Sequence, residues 1–435
     1  MPLSPHRKNK VSLSDFNYMR EVETRLFFSD LTGDDLFVLR EIVDDSLKIA
    51  LPEFAKRVKK PLKTLQPLLT KLETIKFLKV DGNFLMVDKE QRKNFETFLI
   101  KFDEDFEPGM EFLKGLLNRI PIPIQTQWYH LPRSADNIFQ TLIENMFATP
   151  KLYAQYVDQL EYDHPLLDGI VTEVYAAEDL SLPAAKIMQK HKLTAEQFYE
   201  ISLLLEYNLV CCLAYYPSGE GWEERMTPFA EWKTYQKFLS ETTPKPISGK
   251  VKRSHPDDFG FVNDLTLVLT ALQKNPLTSE KIAQLLPHGS PAYAQQIIDR
   301  ILFHHFAKEE GNKLSIKDSA SAWLLKKLEE RALSLSRHPT AVEKGLHRVL
   351  RSGWIYADDF IRGFTGILCG KEKITLKNKG RKWGYFLPEY SSEEQELIRT
   401  TLCDRLFEAG FIALGEHQGK ACFNVTTFGR KFLED

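Results

Sequence analysis

Between Lys56 and Lys79 the chain sets eight positive side chains (Lys56, Arg57, Lys59, Lys60, Lys63, Lys71, Lys76 and Lys79) against one acid, Glu73. Basic density of this kind neutralises phosphates, and counterion release then supplies most of the affinity for a nucleic acid. Gln66 and Thr70 lie in the same stretch; glutamine pairs with adenine, and lysine with guanine or phosphate. A second cluster, KEKITLKNKGRK, holds Lys371, Lys373, Lys377, Lys379, Arg381 and Lys382 against Glu372, and Trp383 and Tyr385 follow it. Positive charge beside aromatic rings suits a single strand, whose bases stack on the rings. A third, weaker patch is Lys245, Lys250, Lys252 and Arg253. The candidate nucleic-acid residues are therefore Lys56, Arg57, Lys59, Lys60, Lys63, Gln66, Thr70 and Lys71, with Lys373, Lys377, Lys379, Arg381 and Lys382.

Other chemistry has less to stand on. No G-x-x-x-x-G-K-[ST], no G-x-G-x-x-G after a strand, no H-E-x-x-H and no G-x-S-x-G occurs, so the motif-borne routes to phosphoryl, hydride, metal-assisted and acyl chemistry are missing. His304 and His305 are adjacent, a quarter-turn apart on a helix, and cannot share a metal as an i, i+4 pair would. The acidic run from Asp103 to Glu107 lacks the glycine and spacing of a calcium loop, and a solvated loop is expected there. Cys211, Cys212, Cys369, Cys403 and Cys422 make neither a C-x-x-C pair nor a disulfide framework; they are expected to be buried, reduced thiols. No catalytic residue, metal site or cofactor is expected, and the protein reads as a non-enzyme.

The elements that must position the basic residues begin with the chain as a whole. It has 435 residues, 43% apolar and 27% charged, with 58 Lys and Arg against 60 Asp and Glu for a net charge of −2. That balance excludes wholesale disorder and a globally basic nucleic-acid binder, so any charge-driven partner must be served by a local patch. The basic opening MPLSPHRKNK runs into no apolar stretch, which argues against a signal peptide, and the most apolar window, Ile201 to Tyr216, is too short to span a bilayer. A cytoplasmic protein with no membrane partner is expected.

From Pro52 the pattern reads as a short helix to Val58 and a turn. A longer helix follows, with Leu62, Leu65, Leu68, Leu69, Leu72 and Ile75 on one face. Then come two short β runs, Phe77–Val80 and Phe84–Val87, around Asp81-Gly82-Asn83. Pro67 is harmless if that helix starts near Leu65, and removes a hydrogen bond if it starts at Pro61. Helix, turn, helix, hairpin resembles the winged helix-turn-helix superfamily over Asp34 to Lys93. The resemblance implies a second helix that lies in a major groove.

Three further stretches repeat the order. In one, Leu182–Gln189 and Thr194–Tyr207 are the helices, with Thr194 and Gln197 as a capping box, and Leu209–Tyr216 and Glu224–Met226 form the hairpin. In the next, a helix from Leu277 ends at Leu285, Ser290-Pro291 starts another that runs to about Phe306, and Glu310-Gly311-Asn312 turns the wing. In the last, Ser391 caps a helix from Glu393 to Ala409, Gly410 stops it, and a hairpin and a closing helix, Thr427–Leu433, follow.

The expected fold class is α+β, mainly helical: tandem winged-helix units with short β-hairpin wings. The expected segments are a partly ordered lead-in (1–30), winged helix 1 (31–95) and a Pro-containing helical or irregular connector (96–160). In that connector Ile120-Pro-Ile-Pro-Ile124 is expected to be extended. Winged helix 2 (161–240), a linker without helix or strand period (241–258), winged helix 3 (259–335) and winged helix 4 with a preceding helical segment (336–435) complete the chain. The second helices of units two and four each carry a net −3. The wing of unit two adds Glu220, Glu223 and Glu224 against Arg225, so these units are expected to bind protein or only to pack. Unit three is near neutral, with Tyr293, Gln295 and Gln296 as exposed candidates. The function expected is that of a DNA-associated protein, on double- or single-stranded DNA, with a protein partner for the later units. The alternative is a protein-interaction scaffold with no nucleic-acid binding.

Overall fold

Four times along the chain the same order of elements appears, each time for the same local reasons. The computed structural model describes residues 9–132, 137–219, 221–286, 290–336, 341–380 and 382–434. The fold is α+β and mainly helical, with small antiparallel sheets. In the first repeat a lead helix, Gly33–Val43, precedes a strand at Lys48–Ala50. A short helix Leu51–Arg57, a long helix Leu62–Thr74 and a hairpin Leu78–Asp81/Phe84–Val87 follow. The second repeat runs Leu167–Ala176, Leu182–Pro183, Ala184–His191, Ala195–Tyr207, Cys212–Ser218 and Gly221–Thr227. The third runs Gly260–Lys274, Leu277–Thr278, Ser279–Leu285, Pro291–Phe303, Ala307–Glu310 and Lys313–Ile316. The fourth opens with Ala341–Gly345 and continues through Ile355–Tyr356 and Ala357–Arg362. Its long helix starts at Ser392 and passes through a π-helical stretch, Thr401–Leu406, before the hairpin Ile412–His417/Lys420–Val425. In every repeat the last strand lies between the other two.

The end of each long helix is built alike. Lys76, Leu209, His305 and Gly410 take left-handed backbone conformations. The next residue donates its N–H five residues back: Phe77 to Leu72, Val210 to Leu205, Phe306 to Ile301 and Phe411 to Leu406. This six-to-one closure satisfies a helix-end carbonyl and delivers a buried residue to the start of the hairpin. The hairpin closes on the same residue when Asp88, Lys317 and Thr426 donate to the carbonyls of Phe77, Phe306 and Phe411. In the second repeat Pro228, which has no N–H, stands at that place.

The chain divides into two compact units. One ends at Lys237 and includes Thr375–Phe386; the other comprises Phe238–Ile374 and Leu387–Asp435. In the first unit, residues 19–29, expected to lie in a partly ordered lead-in, are helical. Met19–Ser29 is a helix whose Arg25 is buried and forms a two-bond ion pair with buried Glu206 at 2.6 and 3.2 Å. Burial works against both charges. Mutual attraction overrides it, holding the guanidinium pKa above and the carboxyl below their ordinary values. The helix Lys89–Leu99 extends the core through Phe95 and Phe98, and Phe28 stacks on Phe98 at 4.2 Å. The Ile-Pro-Ile-Pro-Ile stretch is not extended throughout. Ile122–Trp128 is a helix with Pro123 in its first turn, where an absent N–H costs nothing. Asp103, placed by expectation in a solvated loop, accepts from Arg40 at 2.6 Å.

In the second unit the core runs from Leu265, Leu269 and Ile301 to Ile398, Leu406 and Phe423. Residues 241–258, expected to be a linker without strand period, form a strap along this unit. Lys252–Arg253 is a fourth strand paired with Glu416 and Gly415, and Ile247 and Ser254 donate to the carbonyls of Trp354 and Leu414. Gly415 makes room for it: a Cβ there would sit 2.6 Å from Val251 Cγ1 and 2.9 Å from the Lys252 carbonyl oxygen.

Candidate nucleic-acid interface

The long helix of the first repeat buries Leu65, Leu68, Leu69 and Leu72 and turns Lys63, Gln66, Pro67, Thr70 and Thr74 outward. Spacings of three and four put those outward residues on one stripe. Gln66 Nε2 reaches Thr70 Oγ1 at 3.5 Å, so the two amide- and hydroxyl-bearing side chains stand together. The helix starts at Leu62 with Pro61 as its cap, so Pro67 is interior. A residue with an N–H at position 67 would bond the Lys63 carbonyl; proline leaves that carbonyl without its helical donor. The stripe therefore carries polar side chains on a locally weakened helix.

The basic residues around this helix divide into two groups. Arg57 is engaged by Asp45 and by Glu41 at 3.5 Å, and Lys60 by Asp34 at 2.6 Å. Burial alone would raise the Asp45 pKa; the Arg57 guanidinium and the Ser46 amide hold it below the usual carboxylate range. Lys71 donates to the Asp30 carbonyl at 3.2 Å. Arg57 and Lys60 fasten the short helix and the turn after it to the lead helix and the residues just beyond it, and Lys71 fastens the long helix to the residue that caps the 19–29 helix. Lys56, Lys59 and Lys63 are exposed and make no ion pair with a described residue, as do Lys76 and Lys79 on the approach to the hairpin and in its first strand. Lys76 and Lys79 belong to the basic stretch of the sequence but lie beyond the outward stripe of the helix, which ends at Thr74. Glu73, the one acid of the stretch, is half-buried and accepts from the Val80 N–H at 2.8 Å.

The second basic cluster is placed differently from its expectation. Leu376–Lys379 and Lys382–Tyr385 pair as a hairpin of the first unit. Its aromatic residues do not stand open for bases. Tyr385 is buried and donates to the Phe147 carbonyl at 2.8 Å, and Trp383 donates to Glu111 at 2.7 Å with its ring edge-on to Phe139. The rings anchor the hairpin, which leaves Lys377, Lys379 and Lys382 exposed on it. The Lys379 ammonium lies 4.1 Å from the Phe386 ring. Lys373 is exposed in the second unit. Arg381 and Glu220 lie outside the described residues, as do 1–8 and 337–340.

The acids of the other repeats are structural more often than they are surface charge. In the second, Glu206 is buried against Arg25 and Glu200 accepts from Tyr18 at 2.9 Å. The helix Ala195–Tyr207 is largely buried and packs on Met19–Ser29. In the fourth, Glu408 is buried and pairs with Arg300 at 2.5 Å, and Glu394 closes the capping box of Ser391. In the third, Tyr293 and Gln296 are half-buried and bond Asp264 and Glu408, which leaves Gln295 as the exposed one of the three candidates. Of the cysteines, Cys211, Cys212 and Cys422 are buried, Cys403 is half-buried and Cys369 is exposed in a turn with Gly370, contrary to expectation. Among the described residues no cluster of His, Cys, Asp or Glu is placed to hold a metal ion, and no helix is long and apolar enough to cross a membrane.

Compared with known proteins, the chain matches no family model and no curated protein sequence.

Proposed function

We propose that this protein is a non-enzymatic, DNA-associated protein of the cytoplasm, built of four tandem winged helices, whose first unit grips a phosphate backbone. The winged-helix reading is supported by the fourfold recurrence of helix, strand, helix, helix and hairpin, each with its last strand central. The observation that carries the DNA reading is the outward stripe Lys63, Gln66 and Thr70, flanked by Lys56, Lys59, Lys76 and Lys79 with no ion pair to a described residue. None of the other three long helices combines an exposed face with unpaired lysines. Phosphate contacts from the five lysines hold the helix, and Gln66 is the side chain able to read a base edge. The interior Pro67 favours backbone gripping over fine sequence readout.

A scaffold reading, with no nucleic-acid binding, draws on a different observation. Phe303 is 68% exposed, Leu325 89% and Leu397 46%, all in the third and fourth repeats. Exposed apolar side chains of this size are partner-seeking when they gather into a patch. In the DNA reading these side chains are available to a protein partner.

The test is polarisation binding of a labelled duplex and the matching single strand at two salt concentrations. The comparison variant is Lys56→Glu, Lys63→Glu and Lys79→Glu, chosen to leave the structural pairs of Arg57, Lys60 and Lys71 intact. If all five lysines engage, log affinity falls with log salt at a slope of about −4 to −5, and the variant loses most of the binding. Binding that survives in the variant refers the contact to the 376–385 hairpin. No binding at low salt leaves the scaffold reading.

A further inference from the structure

Within the first unit, a recess of about 240 Å³ opens beside the hairpin of the second repeat. Phe102, Tyr215 and Trp222 line it, with Met188 from the short helix Ala184–His191. The rings form one cluster: Phe102 lies 4.4 Å from Tyr215 and 5.4 Å from Trp222, the latter edge-on. Tyr215 Oη and Trp222 Nε1 are buried and have no hydrogen-bond partner. Unpartnered polar atoms of this kind are rare and call for an explanation.

Two carboxylates also line the recess. Glu223 is paired with Arg225 at 2.9 Å, but Glu224, half-buried in the wall, makes no ion pair with any described residue. Its two oxygens share one donor, the Tyr199 hydroxyl, at 2.9 Å. A carboxylate with no cation in direct contact, beside aromatic rings, attracts a cation that is weakly hydrated and apolar in body, even with Arg25 and Lys101 acting on it from further off. A metal ion has no ligand set here, and an anion would meet Glu224.

We infer that this recess binds an alkylammonium head group, with the aromatic cluster and Glu224 facing the charge and Met188 contacting its methyl groups. Free choline and a trimethylated lysine side chain share this chemistry. The inference does not depend on DNA binding, because the recess lies apart from the Lys63–Gln66–Thr70 stripe in sequence and uses none of its residues.

The experiment is ligand-observed NMR titration of the full chain with choline and with dimethylbutanol, its uncharged carbon isostere. A short peptide bearing trimethyllysine and its unmodified twin form the second arm. Choline or the modified peptide should bind, with the uncharged isostere weaker by about tenfold. Glu224→Gln, which keeps the acceptor for Tyr199, should weaken binding several-fold. Trp222→Ala should abolish it and Trp222→Phe retain part of it, each variant being checked for a parent-like thermal midpoint. Binding of the peptide alone assigns the head group to a protein partner; binding of choline alone assigns it to a free metabolite. Equal affinity for the isostere, parent-like binding by Glu224→Gln, or no binding by either cation overturns the inference.

Discussion

Lys101 offers the sharpest quantitative test of how the first unit is assembled. It sits in the 3-10 turn Ile100–Phe102, is 3% exposed, and forms no ion pair with a described residue. Its ammonium lies 4.4 Å from the Phe98 ring and 4.8 Å from Phe112. Burial first, and then repulsion from Arg25, pulls its pKa from 10.5 down to about 7, with Glu206 opposing in part. Because the folded pKa is the lower one, the unfolded chain binds the proton more tightly. Stability attributable to Lys101 is complete only above pH 10.5, falls as pH drops toward 7, and stays at its minimum below that. At about 1.4 kcal/mol per pH unit the full swing is about 5 kcal/mol. Lys101→Met keeps the volume and removes the charge. It forfeits cation–π contacts worth about 1–2 kcal/mol, so a net gain of about 3 kcal/mol is expected near pH 6.5. That gain should shrink steadily toward pH 10. Urea unfolding of parent and variant, followed by tryptophan fluorescence at several pH values, measures the difference, and groups common to both chains cancel from it. A variant less stable than the parent at neutral pH, or an advantage that does not change with pH, refutes the reasoning.

Other perturbations follow the same logic. Arg25→Met strands buried Glu206 without its partner and should cost about 3–5 kcal/mol, seen as a lowered thermal midpoint of the first unit. Glu231 has a pKa raised to about 7, chiefly by burial. The stability it supplies is therefore complete below about pH 4.5 and lost as pH rises through 7. Glu231→Gln should accordingly flatten the stability profile between those values and gain about 2–3 kcal/mol at pH 8, read by urea titration. Tyr385→Phe removes the hydroxyl bond to the Phe147 carbonyl and should cost about 1 kcal/mol, with faster amide exchange across the 376–385 hairpin. Gly415→Ala forces a methyl against Val251 and the Lys252 carbonyl and should cost about 1–3 kcal/mol, read as a lowered midpoint of the second unit.

Features set by neighbours in sequence were legible in advance. Thr194 with Gln197 and Ser391 with Glu394 are capping boxes, and the Ser290 side chain accepts from the Tyr293 N–H with Pro291 behind it. Each needs only three or four consecutive residues. The leucine stripe of the 62–74 helix and the turn at Gly82 are local in the same sense. Gly410 announced the end of the last long helix, whereas Lys76, Leu209 and His305 do the same work without glycine and gave no such signal. What was not legible depends on distant partners. Arg25 reads as one more surface charge until Glu206 is beside it. Trp383 and Tyr385 look like a stacking platform until Glu111 and Phe147 occupy their polar atoms. The strap at 252–253 has no strand pattern of its own because the edge of the fourth sheet supplies it. For the candidate interface, residue type and exposure on the 62–74 helix were readable from the pattern. Which basic residues are spent on Asp34, Asp45 and Asp30 was not, because those partners lie in segments that precede the helix.

The 376–385 hairpin has a consequence for how the protein is made. It belongs to the first unit, yet it is encoded within the fourth repeat, between that repeat's short and long helices. During synthesis the first unit leaves the ribosome with its Phe147 and Ala148 carbonyls lacking donors that will come from Tyr385 and Leu376. Those donors arrive only after the third repeat has been translated. Completion of the early unit therefore waits on a late segment, and no single cut of the chain yields both units whole.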